Sequence, residues 1–259
     1  MAPPAQPFTT VNRPWPVDDP AGRLFLFHHA GGSHLFFRDW NGLFPADWDV
    51  VLMEAPGRGV GGGRSTHAGD LHALVRHFRQ QMEPYLQAPY AFFGHSMGGL
   101  VATELARRLR AAGGTGPCWL GLSAWAADEV LPGGPGRHLL GDEELRSLLG
   151  AVGGTPAEIL ESPTLWRLFS PVIRNDFQLI DGCDPACYAP LEDLPQSLFG
   201  GEEDALLPRD ALVALADRLP RLTGLHLHPG DHFYLRPRRQ EVARQITADL
   251  TGVLRAVAA

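Results

Sequence analysis

The feature that most constrains this chain is an alternation. Six short apolar runs, Arg23–His28, Asp49–Glu54, Tyr90–His95, Pro117–Ser123, Gln196–Gly200 and Leu222–His228, are separated by glycine- or proline-marked turns and longer amphipathic stretches. Short apolar runs alternating with longer amphipathic stretches predict an α/β fold with a mainly parallel sheet between helical layers. After Ser96, Val101, Leu105 and Leu109 recur at helical spacing and Gly113-Gly114 supplies a stop. Val242, Ile246 and Leu250 repeat the pattern in a final helix over about 237–257.

One region breaks the rhythm. From about Asp128 to Pro190 no strand is legible, while helical stretches are expected near Asp142–Leu149, Pro156–Leu160 and Pro163–Ile180. A structureless loop of that length is improbable in a compact domain. The expectation is therefore a core built from 1–127 and 191–259, with 128–190 inserted as a helical lid at the carboxyl edge of the sheet. Gly59–Arg64 reads as a flexible loop, and the proline-rich first twenty residues as an irregular lead-in without the apolar core of a secretory signal.

Composition narrows the function. The formal charge of −7 argues against nucleic acid, and no apolar run is long enough to span a membrane. There is no lysine, which excludes Schiff-base chemistry on a lysine side chain. Cys118, Cys183 and Cys187 form an odd set without metal-ligand spacing, read as free thiols in a reducing, cytoplasmic compartment.

The chemistry is concentrated at Gly94-His95-Ser96-Met97-Gly98, a G-x-S-x-G placed between the apolar run YAFF and the helical GGLVATELA. Glycine on either side permits a sharp strand-to-helix turn that exposes the serine hydroxyl above a helix N-terminus. The alternative is a serine that merely caps the helix. A serine nucleophile needs an imidazole to take its proton, and His232, in Pro229-Gly230-Asp231-His232-Phe233 just after the last strand, is placed for that role. Asp204, on the loop after the preceding strand, is the carboxylate expected to orient it, with Glu202 and Glu203 as competitors and Asp231 too close in sequence to His232. A developing oxyanion would take one N–H from Met97 and a second from the loop Ala30-Gly31-Gly32, for which Ala30 is the choice. His28 and His29 read as structural, and His95 as a support for the turn.

Together, HHAGGS at 28–33, GHSMGG at 94–99, the G-x-x-D of Gly201–Asp204 and GDHFYL at 230–235 resemble the type II thioesterases that accompany modular polyketide synthases and nonribosomal peptide synthetases. The resemblance runs from about Arg23 to Leu254, and Asn175-Asp176-Phe177 with Tyr188 is similar to that family's lid segment. The double histidine is a departure, since the family commonly has an aromatic or proline-containing run there.

The resemblance implies an α/β-hydrolase fold and a discrete editing enzyme. It would clear acyl groups from the phosphopantetheine arm of carrier proteins with Ser96, His232 and Asp204, and with Met97 and Ala30 amides for the oxyanion. It implies no metal or organic cofactor, and a freestanding enzyme of this kind is expected to be a monomer. Because carrier proteins are commonly acidic and this chain is too, docking would fall to local arginines, with Arg58, Arg64, Arg137, Arg146, Arg167 and Arg174 as candidates. Two other readings are an esterase or amidase of the same fold acting on a small free substrate, and a catalytically silent module that docks to a synthase.

Overall fold

The computed structural model describes residues 9–40, 42–58, 69–87, 89–125, 136–184, 189 and 191–258. Seven strands form one sheet: β1 (Val11–Asn12), β2 (Gly22–Phe27), β3 (Trp48–Met53), β4 (Tyr90–His95), β5 (Leu120–Ser123), β6 (Gln196–Gly201) and β7 (Leu222–His228). Their order is β1-β3-β2-β4-β5-β6-β7, and every pair is parallel except β1 with β3. The expected strands are thus all present, with two adjustments. Val11 and Asn12, inside the expected irregular lead-in, add an antiparallel edge strand against Leu52 and Met53. The fourth expected strand starts at Leu120 rather than Pro117, although Cys118 N–H already bonds the Tyr90 carbonyl at 2.8 Å.

Alternation within each strand divides the core in two. Phe25, Phe27, Val51, Met53 and Phe92 face one layer, where they meet α1 (Leu71–Met82), α2 (Met97–Ala111) and α6 (Arg209–Asp217). Leu24, Leu26, Leu52, Ala91 and Phe93 face the other, covered by a 3-10 helix (His34–Trp40) and α7 (Arg239–Ala258). The helix α1 begins where the Asp70 carboxylate accepts the N–H groups of His72 and Ala73 at 2.8 and 3.1 Å, and it buries Leu71, Leu74, Val75, Phe78 and Met82 along one stripe.

Between β5 and β6 lie α3 (Asp142–Val152), α4 (Ala157–Glu161) and α5 (Pro163–Asp181), with no strand among the described residues of that stretch. The Gly59–Arg64 loop, Arg64, Cys187 and Tyr188 fall outside the described residues.

The topology places the site. The chain adds β3 on one side of β2 and then returns to add β4 on the other, so the carboxyl ends of β2 and β4 flank a switch in winding direction, the usual location of a ligand crevice in such sheets. Phe27 pairs with Gly94, which sets the loop after β2 beside the turn after β4, and Gly201 pairs with His228, which sets the loops after β6 and β7 side by side.

Candidate active site

Ser96 occupies the turn between β4 and α2 with φ 56° and ψ −120°, a left-handed conformation uncommon for a residue with a side chain. Strain of this kind persists only where the surroundings impose it. Here they do: a Cβ on Gly98 would lie 2.1 Å from the Phe27 carbonyl oxygen, and one on Gly94 would lie 2.1 Å from the Gly98 carbonyl oxygen. Only glycine at these two positions lets α2 start this close to β2 and β4. Ser96 stands at the cap position of α2, yet its hydroxyl makes no cap hydrogen bond, so capping does not occupy it.

Asp204 and His232 meet. The His232 Nδ1–H donates to Asp204 Oδ2 at 2.8 Å, with both side chains buried, and Asp204 Oδ1 accepts the N–H groups of Leu206 and Leu207 at 2.8 and 3.0 Å. Two of the other carboxylates are otherwise engaged, Glu203 accepting the Gly230 N–H and Asp231 the Phe233 N–H. With Nδ1 carrying the proton, Nε2 of His232 is the basic nitrogen. No hydrogen bond joins Ser96 to His232 among the described residues; the ring of His95, adjacent in the chain to Ser96, lies 5.2 Å from the His232 ring. Contacts between nucleophile and base commonly tighten only in the substrate complex.

His95 supports the turn from below. It is fully buried, its Nδ1 is 2.9 Å from Ser123 Oγ, which in turn bonds the Tyr234 hydroxyl at 2.7 Å, and it stacks on Phe36. Burial, reinforced by the neighbouring His232 and His29, holds its pKa well below the usual histidine value. His29 packs edge-on against Phe36 and Phe233, and burial, with a contribution from His28, lowers it to about 3. Both rings are therefore neutral near pH 7.

The loop after β2 holds Ala30, the residue expected to supply one oxyanion amide. Gly31 adopts φ +72°, and its N–H donates to Asp176 Oδ2 of α5 at 2.7 Å, while the Gly32 N–H bonds the His29 carbonyl at 3.1 Å. The N–H groups of Ala30 and Met97 enter no turn, loop or cap hydrogen bond among the described residues. Of the loop amides 30–32, Ala30 is thus the one left available, beside Met97 at the first position of α2, where an N–H has no partner within the helix.

Three residues take up roles here that the sequence reading did not give them. Glu54 at the end of β3 pairs with His34 Nδ1 and lies 3.4 Å from His28 Nε2; burial alone would raise its pKa, but hydrogen bonds from His28 and His34 hold it at about 2. Asp176 and Arg58 form a buried pair against the loop after β2. Asp176 entered the sequence reading only through the resemblance at 175–177, although a carboxylate between Ile173, Phe177 and Ile180 on the apolar stripe of α5 also marks it. Among the described residues, no group of three or more His, Cys, Asp or Glu is placed to hold a metal ion.

The thioesterase-domain family matches residues 22–250. The chain belongs to the thioesterase family. Among curated relatives, the gramicidin S biosynthesis protein GrsT of Aneurinibacillus migulanus is 30% identical over 232 residues, covering 90% of each chain. Among solved structures, the type II thioesterase BorB from the borrelidin biosynthetic cluster superimposes with a TM-score of 0.78 at 28% identity, covering 93% of this chain and 97% of BorB. YbtT, the type II thioesterase from the yersiniabactin pathway, gives 0.76 at 26% identity, covering 95% and 100%. The chain is an α/β-hydrolase of the type II thioesterase group, a hydrolase acting on thioesters.

Proposed function

We propose that this thioesterase removes acyl groups from the phosphopantetheine arm of carrier proteins in a modular synthase, through an acyl-serine intermediate. The observation that carries the reading is the buried Asp204–His232 pair at the carboxyl edge of the sheet, together with a strained serine on the turn after β4 whose hydroxyl no cap bond claims. The pathway context is supported by the names of the relatives, which belong to peptide and polyketide biosynthesis.

Ser96 Oγ attacks the thioester carbonyl carbon while His232 Nε2 takes its proton, and Asp204 stabilises the imidazolium. The amides of Ala30 and Met97 hold the tetrahedral oxyanion, donors that individually are worth about 10²–10³ in rate in such sites. The carbon–sulfur bond then breaks and the pantetheine thiolate leaves with the proton from His232. Water, deprotonated by the same imidazole, attacks the acyl-serine ester, and the proton returns to Ser96 as the free acid departs.

The helical insertion, 128–190, serves as a lid in this reading. Its α5 touches the oxyanion loop through Asp176, and the Gly154 carbonyl ahead of α4 accepts from Arg236 just beyond the His232 loop at 3.2 Å. The enzyme acts as a cytoplasmic monomer, with no metal or organic cofactor in the reaction.

The test is mass spectrometry of a holo carrier protein loaded with acetyl, propionyl or a longer acyl group, incubated with the enzyme and with Ser96→Ala. Loss of acyl mass with the parent and at least about 10³-fold slower loss with the folded variant is expected. Intact acyl carriers alongside rapid cleavage of a small oxygen ester overturn the carrier assignment, and an active Ser96→Ala overturns the nucleophile.

A further inference from the structure

The buried pair formed by Asp176 and Arg58 has no part in the mechanism above, and both residues bond the same loop, Ala30-Gly31-Gly32. Asp176 Oδ2 accepts the Gly31 N–H at 2.7 Å and also receives the Arg58 guanidinium. The Arg58 Nε–H donates to the Gly32 carbonyl at 3.0 Å, and a second guanidinium nitrogen donates to the Pro56 carbonyl at 3.0 Å. Asp176 is fully buried and Arg58 is 6% exposed, so neither side chain is a solvated surface charge. Ile173, one turn earlier on α5, presses on the same loop, where a Cβ on Gly31 would lie 2.9 Å from Ile173 Cγ1.

We propose that Asp176 and Arg58 are positioning residues that hold the Ala30 amide in its oxyanion-binding orientation and so make the helical insertion part of the catalytic apparatus. The inference rests on the acyl-serine reading.

A buried ion pair is weak evidence of stabilisation, because apolar side chains of similar volume often serve as well. This pair is spent on backbone groups instead. It ties Gly31 on its N–H and Gly32 on its carbonyl, and the Gly32 N–H in turn bonds the His29 carbonyl at 3.1 Å, which shares a peptide plane with the Ala30 N–H, so the clamp reaches that amide through the turn. The charges have separate duties. The carboxylate takes the Gly31 N–H, which leaves Ala30 as the loop amide that faces substrate. The guanidinium neutralises that carboxylate, which otherwise would oppose negative charge developing on a substrate oxygen held by the neighbouring Ala30 amide. Since Asp176 belongs to α5, a displacement of the helical insertion slackens the loop, and hydrolysis is coupled to the insertion being seated.

The experiment measures kcat and KM for a short acyl-pantetheine thioester, which needs no carrier docking, with folding checked by circular dichroism. Asp176→Ala is expected to lower kcat about 10–100-fold with KM within about threefold, because a displaced donor is felt in the transition state. Arg58→Met is expected to lower kcat at least as far, leaving an unneutralised carboxylate by the oxyanion, and Arg58→Met combined with Asp176→Asn to recover at least about fivefold of that loss. A purely structural pair lowers the melting temperature without this kcat pattern and without recovery in the double variant. If Asp176→Ala does not fold, the isosteric Asp176→Asn decides, with a kcat loss of about five- to twentyfold expected. Folded variants with kcat within twofold of the parent, or a loss confined to KM, overturn the proposal. A parent enzyme that cleaves no thioester overturns the acyl-serine reading itself, and this inference with it.

Discussion

His29 and His95 are the residues at which pH should be felt first. Both are buried and neutral, His29 with its pKa lowered to about 3 and His95 shifted in the same direction. Unfolding restores each to the ordinary histidine value near 6.5, so below that pH the unfolded chain binds protons that the folded chain refuses, and stability falls. At pH 5.5 His29 alone costs about 1.4 kcal/mol relative to neutral pH, and His95 adds to it. Glu54, held at about 2, contributes its stabilisation fully above 4.5 and loses it only below, so the window from 6.5 to 4.5 belongs to the histidines. Urea unfolding at pH 7.5 and 5.5 checks this: the midpoint should drop at the lower pH, and His29→Phe should reduce the drop. At the same scale, Asp204→Asn leaves His232 without the carboxylate that fixes Nδ1–H, and kcat for thioester hydrolysis should fall by about 10²–10⁴ with little change in melting temperature.

At the scale of elements, the junction of β2, β4 and α2 is built on backbone-to-backbone proximity. Gly98→Ala places a methyl group against the Phe27 carbonyl, and neither side can rotate away. Overpacking there should cost about 3 kcal/mol or more, about 6–12 °C in melting temperature by calorimetry, and a near-unchanged transition would show that α2 shifts freely. The elements best read in advance were those with a strong period. The strands β2, β3, β4, β6 and β7 lie within one residue of expectation at each end: the first four are buried at nearly every position, and β7, half-buried at the sheet edge, is marked by its alternating leucines and the Pro229-Gly230 turn. The helices α1 and α6 were not named in advance, although Leu71, Leu74, Val75 and Phe78 carry the spacing of a helix. The edge strand β1 was illegible, since two residues, Val11 and Asn12, hold no period and become a strand only by pairing with β3.

For the whole molecule, the six arginines considered for carrier docking separate by what they already do. Arg58 is buried on Asp176, Arg137 is bound to Asp181 and Arg174 to Asp142, while Arg146 lies over the Trp166 ring. Arg64 is outside the described residues. Arg167 is exposed and makes no ion pair among the described residues, next to Leu168 at 48% exposure. On a chain of net charge −7, such a local cation is where an acidic partner would be received. Arg167→Glu should lower kcat/KM about three- to tenfold for a carrier-borne acyl group and leave a free acyl-pantetheine substrate unaffected. Equal effects on both substrates would place Arg167 in the active-site cleft instead of a docking surface.

What the sequence by itself determined is what local pattern can encode: strands from short apolar runs, a sharp turn from Gly94, Ser96 and Gly98, and candidate groups ordered Ser96, Asp204, His232 along the chain. Which groups meet was decided only in three dimensions. Asp204 prevailed over Glu203 because the β6–β7 register brings its loop beside that of His232, and Glu203 is taken up by the Gly230 N–H. Ala30 stands out over Gly31 because Asp176, 145 positions away, consumes the Gly31 N–H. Arg58 appeared as a surface cation in the sequence and is an internal one in the fold. Each of these depends on contacts between segments distant in the chain, and sequence periodicity carries no information about such distances.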